Sequence, residues 1–327
     1  MRTLVTGGTG FLGSAIVRRL VSDGHRVRVF DNNWRGNPRR LDGILDDVEL
    51  VEGDVRDTAA VGRAAKGVDR VLHMASVNGT EFFYSRPELV LDVGIRGMLA
   101  VLDACRGNGV GDLVVASSSE VYQSPPKVPT DETAPLVVPD ILNPRYSYGG
   151  QKIASELLAI NYGRTGFSRV AIFRPHNVYG ADMGWEHVVP QFALRAADAV
   201  AAQPKGPVRF PIQGDGKQTR AFIHVDDFTD GLAMVLAKAP HLAIVHIGNP
   251  EELTIGEVAR RIVGHFGREA ALAHEPAPAG ATPRRSPDIA KLRSYGFVPR
   301  VSFDNGIGPV VARYVRHRHL QPASERV

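Results

Sequence analysis

The sequence predicts an α/β chain: a doubly wound parallel sheet with a smaller, interrupted lobe toward the C-terminus. Three observations carry this. Short apolar runs alternate with helix-length amphipathic stretches through the first half of the chain, the rhythm of βαβ units. A glycine cluster falls between the first strand and the first helix. Beyond Pro175 the alternation fades into Gly, Pro and isolated helical patterns.

Each element follows in order. "RTLVTG" is a short buried strand, and "FLGSAIVRRLVSDG" a helix that stops at Gly24. "RVRVFD" is the second strand, while "VELVEGD" and "RVLHMA" are the third and fourth, with "TAAVGRAAKG" helical between them. A helix ending near Asn108 precedes the fifth strand, "LVVASSS". The long helix of "RYSYGGQKIASELLAINYGRTG" leads to the sixth, "RVAIFRP". Right-handed crossovers make such strands parallel. Residues 1–175 then form a dinucleotide-binding domain of Rossmann type, to which 221–247 return, and residues 176–220 and 248–327 form the second lobe. That lobe holds a helix around 187–202, an amphipathic helix in "LTIGEVARRIVGHFG" and a Pro-rich loop, "HEPAPAGATPRRSPD".

Composition limits the rest. The 327 residues are 43% hydrophobic and 23% charged, ordinary values for a globular chain. Cys105, the single cysteine, lies in a helical pattern and reads as a small core residue; one thiol fits a reducing compartment. No apolar run reaches the roughly 20 residues of a membrane span, and "MRTLVTGG" opens without a leader, so the expectation is a cytoplasmic protein. Net charge is only +4 and arginine is scattered, apart from "RYVRHRH" at 313–319, which reads as a solvated helix end. Without a basic stripe or stacking aromatics, no nucleic-acid partner is expected. No metal site is read.

Two motifs carry chemistry. "VTGGTGFLGS" sets Gly7, Gly10 and Gly13 between strand and helix, where glycines permit a tight turn and close approach to a pyrophosphate at a helix N-terminus. Asp31 ends the second strand, 18 residues beyond Gly13. A carboxylate there accepts from a ribose 2′-hydroxyl and repels a 2′-phosphate, so NAD is favoured over NADP, although Arg35, Arg39 and Arg40 lie just beyond. "GDVRD" places Asp54 and Val55 at the adenine edge. In "YSYGGQK", Tyr148 and Lys152 stand four apart on one helix face. An ammonium beside the phenol, with the positive nicotinamide ring, favours phenolate and makes Tyr148 a usable base. Ser118, at the end of the fifth strand, would hold the substrate hydroxyl.

With these residues in place, the sequence resembles the extended short-chain dehydrogenases, the NAD-dependent nucleotide-sugar epimerases and dehydratases. The resemblance is carried by "TGGTGFLG", "FDNNWRG", "EGDVRD", "HMAS", "SSSEVY", "YSYGGQK", "RPHNVYG", "GDGKQTRAFIHVDD" and "PRRSPDIAK". It implies cofactor contacts from Gly7, Gly10, Phe11, Leu12, Asp31, Asn32, Asp54, Val55, Met74, Ala75, Ser76, Tyr148, Lys152 and Pro175. It implies Ser118, Tyr148 and Lys152 as the catalytic set. Ser119, Asn177, Arg220, Val189 and one of Arg284 or Arg285 would meet a nucleotide-diphosphate sugar. His187 to Phe192 and Phe210 to Ile212 look like nucleotide-pocket segments. Trp185 either walls the sugar pocket or packs in the core.

The chain also departs from the family. Gly94 replaces a helix-interior asparagine, and "VNGTEFFYSRPE" and "ADMGWEHV" are unusual. In the family's 4,6-dehydratases an Asp–Glu pair expels the C6 hydroxyl; here Ser119 stands at the Asp position, which argues against dehydration. Glu120 is either a reagent or a structural acceptor. The leading expectation is an NAD-dependent nucleotide-sugar epimerase acting at C4. A uronate decarboxylase follows, since "Ser-Glu-Val-Tyr" with "QTRAF" resembles those enzymes, then a dehydratase. A non-catalytic dinucleotide-sensing protein is the alternative of a different class. The family commonly pairs the helices around 88–107 and 147–164, so a homodimer is expected.

Overall fold

The computed structural model of the chain describes residues 1–276 and 283–321. The first half runs β1 (Arg2–Thr6), α1 (Phe11–Ser22), β2 (Arg26–Asp31), β3 (Val48–Glu52), α2 (Thr58–Ala64), β4 (Arg70–His73), α3 (Thr80–Ser85), α4 (Pro87–Asn108), β5 (Asp112–Ala116), α5 (Ser147–Gly163) and β6 (Arg169–Pro175). The second half runs β7 (Val178–Tyr179), α6 (Val188–Ala202), β8 (Val208–Gln213), β9 (Thr219–Ala221), β10 (Ile223–His224), α7 (Val225–Lys238), β11 (Ala243–Ile247), β12 (Glu252–Thr254), α8 (Ile255–Gly264), β13 (Ala270–Glu275), β14 (Arg284–Arg285), α9 (Ala290–Ser294) and α10 (Phe303–Arg316).

Seven strands form one sheet in the order β11-β6-β5-β4-β1-β2-β3, and every pairing in it is parallel. Alternation of side chains across a strand explains the two cores. Val5, Val114 and Phe173 face α1 and α7, meeting Ile16, Leu20, Phe228 and Leu232. Their chain neighbours Leu4, Leu113 and Ile172 face α2, α4 and α5, meeting Val61, Met98, Val101 and Ala159. The sequence of chain connections reverses between β1 and β4, so the loops leaving those strands diverge and open a crevice at their C-terminal ends.

A third core joins α6, α8 and α10 to β8 through Phe192, Phe210, Ile262 and Val310. Here the structure corrects the reading of Phe210 to Ile212 as a pocket segment: Phe210 and Ile212 are buried core, on a strand paired in parallel with β13. The small three-stranded sheet β12-β9-β14 is invisible in the sequence, because strands of two or three residues carry no periodic signal. α8 starts at a capping box in which Thr254 and Glu257 each accept the other's backbone N–H.

Two features bear on how the chain divides. β11 hydrogen-bonds to β6 in the main sheet, and Ile289, Leu292 and Phe297 pack into the core under it. Within the stretch expected to be a Pro-rich loop, His274 and Glu275 finish β13 and Arg284 and Arg285 form β14, while 277–282 lie outside the described residues. No helix among the described residues is long and apolar enough to cross a membrane.

Candidate active site

A cleft of about 790 Å³ opens where the sheet connections reverse. Its floor is the loop from β1 to α1. Gly7 has φ +72°, and a Cβ there would lie 2.8 Å from Ala75 Cα; one on Gly13 would lie 2.0 Å from the Gly7 carbonyl oxygen. Only glycine fits either position. No side chain caps α1 at Gly10, and Gly7, Gly10, Phe11, Leu12 and Gly13 line the cleft. An uncapped helix N-terminus with orphan N–H groups fits a pyrophosphate.

Asp31 lines the cleft at the end of β2, accepting from the Thr9 and Asn33 backbone N–H groups at 3.0 and 2.9 Å. The three arginines beyond it are each paired with a carboxylate, although Arg35 and Arg40 also line the cleft. Arg35 pairs with Glu186, while Arg39 and Arg40 reach Asp182 at 3.2 and 3.0 Å. Asn32, Asp54 and Val55 line the same end; the hydrogen bonds of Arg56 hold the Asp54 carboxyl below its usual range. On the opposite wall, Thr6 Oγ1 accepts from Met74 N and Ala75 N at 3.2 and 3.3 Å, presenting Met74, Ala75 and Ser76 to the cleft. Pro175, at the end of β6, also lines it. These residues fit a dinucleotide: a dipolar cradle for phosphates, a carboxylate for a ribose, and apolar walls for the rings.

The end of β5 and the start of α5 bring the expected catalytic residues together. Ser118 caps a short 3₁₀ turn, its Oγ accepting from Glu120 N at 3.2 Å, and its hydroxyl lies near enough to Tyr148 to lower the phenol's pKa. Ser117 turns the other way, donating to the buried Glu156 carboxylate. Tyr148 stacks on Phe83 of α3, with centroids 4.8 Å apart and planes at 11°. Lys152 Nζ lies 5.7 Å from the Tyr148 ring centre and donates to the Ala116 carbonyl at 2.8 Å.

The electrostatics of the protein alone differ from the expectation that Lys152 depresses Tyr148. Burial raises the Tyr148 hydroxyl above the ordinary phenol value; the Ser118 hydroxyl opposes this and the Glu120 charge adds to it. Burial also brings the Lys152 ammonium down to about 8, with Glu156 pulling the other way. Lys152 is not among the groups that move Tyr148; burial dominates both residues.

Glu120 resolves differently. Burial pushes its carboxyl up, but Arg285, which pairs with it directly, and then Arg145 and Arg220 outweigh burial and hold it below the usual range. Burial and Arg285 bring the Arg220 guanidinium down to about 10.

Of the expected substrate residues, Ser119, Asn177, Val189 and Arg285 line the cleft with Ser118, Tyr148 and Lys152. Asn177 adopts φ 37° and donates from Nδ2 to the Ala221 carbonyl at 3.1 Å. Three are not among its lining residues, although Arg220 lies close enough to act on Glu120. Arg284 points away, pairing with Glu252 at 2.6 Å, so the choice between neighbours falls on Arg285. Trp185 is not a pocket wall: it packs edge-on against Tyr314 at 4.8 Å in the third core. Arg220 is not in the cleft lining; its Nη1 donates to its own neighbour, the Thr219 carbonyl, at 2.7 Å. The sequence does not point to Phe83, Arg145 or Gln151, since nothing in their local spacing reveals what they meet in three dimensions.

The chain belongs to the NAD dependent epimerase/dehydratase family, which it matches over residues 3–248. It is an enzyme of that family, and its cofactor is NAD. Among its relatives, the dTDP-glucose 4,6-dehydratase DesIV of Streptomyces venezuelae, solved with NAD bound, is 30% identical with a TM-score of 0.87, covering 100% of both chains. The UDP-glucose 4-epimerase of Thermus thermophilus, also solved with NAD, is 28% identical with a TM-score of 0.82, covering 96% of this chain and 99% of that one. UDP-glucuronic acid decarboxylase 1 of Danio rerio is 30% identical over 100% of this chain and 75% of its own.

Proposed function

We propose that the chain is an NAD-dependent nucleotide-sugar epimerase that inverts C4 through a 4-keto intermediate. The observation that carries this reading is the site at the end of β5 and the start of α5. Ser118, Tyr148 and Lys152 meet there, Ser119 offers no acid for a leaving hydroxyl, and Glu120 is engaged by Arg285. Ser118 and Tyr148 would hold the C4 hydroxyl, and Tyr148 would take its proton. Bound NAD supplies the hydride acceptor, later the donor, and a positive ring that favours the tyrosinate. Tyr148 then returns its proton to the opposite epimer. Asn177 and Arg285 would meet the diphosphate, to which a guanidinium fork is suited, with Arg220 adding positive charge from outside the cleft lining. Ser119 and Val189 would line the sugar and nucleotide ends.

A uronate decarboxylase is the second reading. It is favoured by the charge around Glu120, where three guanidiniums act on one carboxylate and leave a surplus suited to a carboxylated sugar. A panel of UDP-, GDP-, dTDP- and CDP-sugars, uronates included, separates the two by product mass and stereochemistry. Epimerisation leaves mass unchanged; loss of carbon dioxide or of water in its place would end the epimerase reading. On that same substrate Glu120→Gln is expected to retain substantial turnover, because its carboxylate is already neutralised by Arg285. Near-complete loss would make Glu120 a reagent.

Two further readings accompany this one. Asp31 is proposed to select NAD, since the nearby arginines are held by Asp182 and Glu186. Calorimetric titration is expected to show NAD binding more tightly than NADP, and equal affinities would refute the assignment. We also propose a homodimer through α4 and α5, where Leu91 and Leu157 are 38% and 60% exposed and Ile95, Leu99, Leu158 and Ile160 are partly so. Light scattering at micromolar concentration should give twice the chain mass; a monomer would sink the idea.

A further inference from the structure

α4 and α5 pack along their length, and the contact holds an unusual pair. A Cβ on Gly94 would lie 2.1 Å from Gln151 Oε1 and 2.6 Å from its Cδ, so the carboxamide of Gln151 fills the notch that a side chain at 94 would occupy. Gln151 is 1% exposed. From that notch its Nε2 donates to Ser76 Oγ at 3.3 Å, and Ser155 Oγ, one turn on, donates to the Gly94 carbonyl at 3.4 Å. Ser76 lines the cleft on the wall where Met74 and Ala75 are held by Thr6. Gln151 itself does not line the cleft, and it adjoins Lys152 three residues after Tyr148.

A buried carboxamide must satisfy its donors, and a helix pair with one glycine notch has one seating depth. We propose that Gln151 is a positioning residue: seated over Gly94, its amide fixes Ser76 beside the dinucleotide and sets the depth at which α5 carries Tyr148 and Lys152 into the cleft. The inference rests on NAD as the cofactor and is independent of which sugar reaction follows. The consequence is a pairwise dependence, since any side chain at 94 expels the Gln151 carboxamide and with it the hold on Ser76.

The test is the rate at which NAD leaves the purified holoenzyme after dilution, read together with the melting temperature. Gln151→Met keeps the volume and removes the amide. NAD should leave about five- to tenfold faster, the effect of losing roughly one net hydrogen bond, with melting unchanged. Gly94→Ala alone should both lower the melting temperature and speed release. Gly94→Ala combined with Gln151→Ser gives the new methyl room, so melting should recover while release stays fast, because serine cannot reach Ser76. A wild-type release rate in Gln151→Met, or slow release regained in the double variant, overturns the proposal.

Discussion

Tyr148→Phe is expected to lower turnover by about 10²–10⁴ while leaving NAD bound, the usual cost of removing an acid–base group. The phenyl ring keeps its stack on Phe83, so packing is preserved and only the hydroxyl near Ser118 is lost. Ser118→Ala should slow the reaction by a smaller factor, because that hydroxyl orients the substrate and need not ionise. Turnover and NAD content measured on the same preparation separate chemistry from cofactor loss. Wild-type turnover in Tyr148→Phe with the true substrate would remove the mechanism, whichever sugar is involved.

The largest stability effect should come from behind the site. Arg174 and Glu156, whose side chains are 2% and 5% exposed, pair at 2.5 Å. Arg174 also donates to Tyr122 Oη, while Glu156 accepts from Ser117. Arg174→Met strands an ionised carboxylate in the core and is expected to cost about 3–5 kcal/mol. Replacing both partners, as Arg174→Met with Glu156→Leu, should recover only part of that, because the stranded carboxylate is gone but the buried Lys152 ammonium loses the charge that favours it. Urea unfolding midpoints give both values. A loss below about 1 kcal/mol in the single variant would mean that water reaches Glu156 and the pair is not what holds α5 to β6.

These two predictions draw on different distances along the chain. The glycine loop, the Asp31 turn and the Tyr148–Lys152 helix face are local: each is fixed by spacings within one strand–turn–helix unit, and the structure places all of them on one cleft. The same locality explains the strand and helix order of the first half. Past Pro175 the elements are short strands paired in registers that no local pattern specifies, which is why β8 resembles a pocket segment in sequence and is core in the fold.

The sequence alone therefore determined the doubly wound sheet, the glycine loop and the placing of Tyr148 and Lys152 on one helix face, because backbone geometry and side-chain periodicity encode them within a few residues. Only the tertiary structure decided what surrounds them. Arg285, and not Arg284, meets Glu120 from 165 positions away; Trp185 turns into a core; and the notch at Gly94 is filled by Gln151. It also decided the electrostatics: burial, which no spacing reports, leaves Tyr148 a neutral phenol while arginines brought from distant segments keep Glu120 charged. Pairings of this kind depend on how far each chain segment sinks into the packed whole, and desolvation there competes with Coulomb attraction on nearly equal terms.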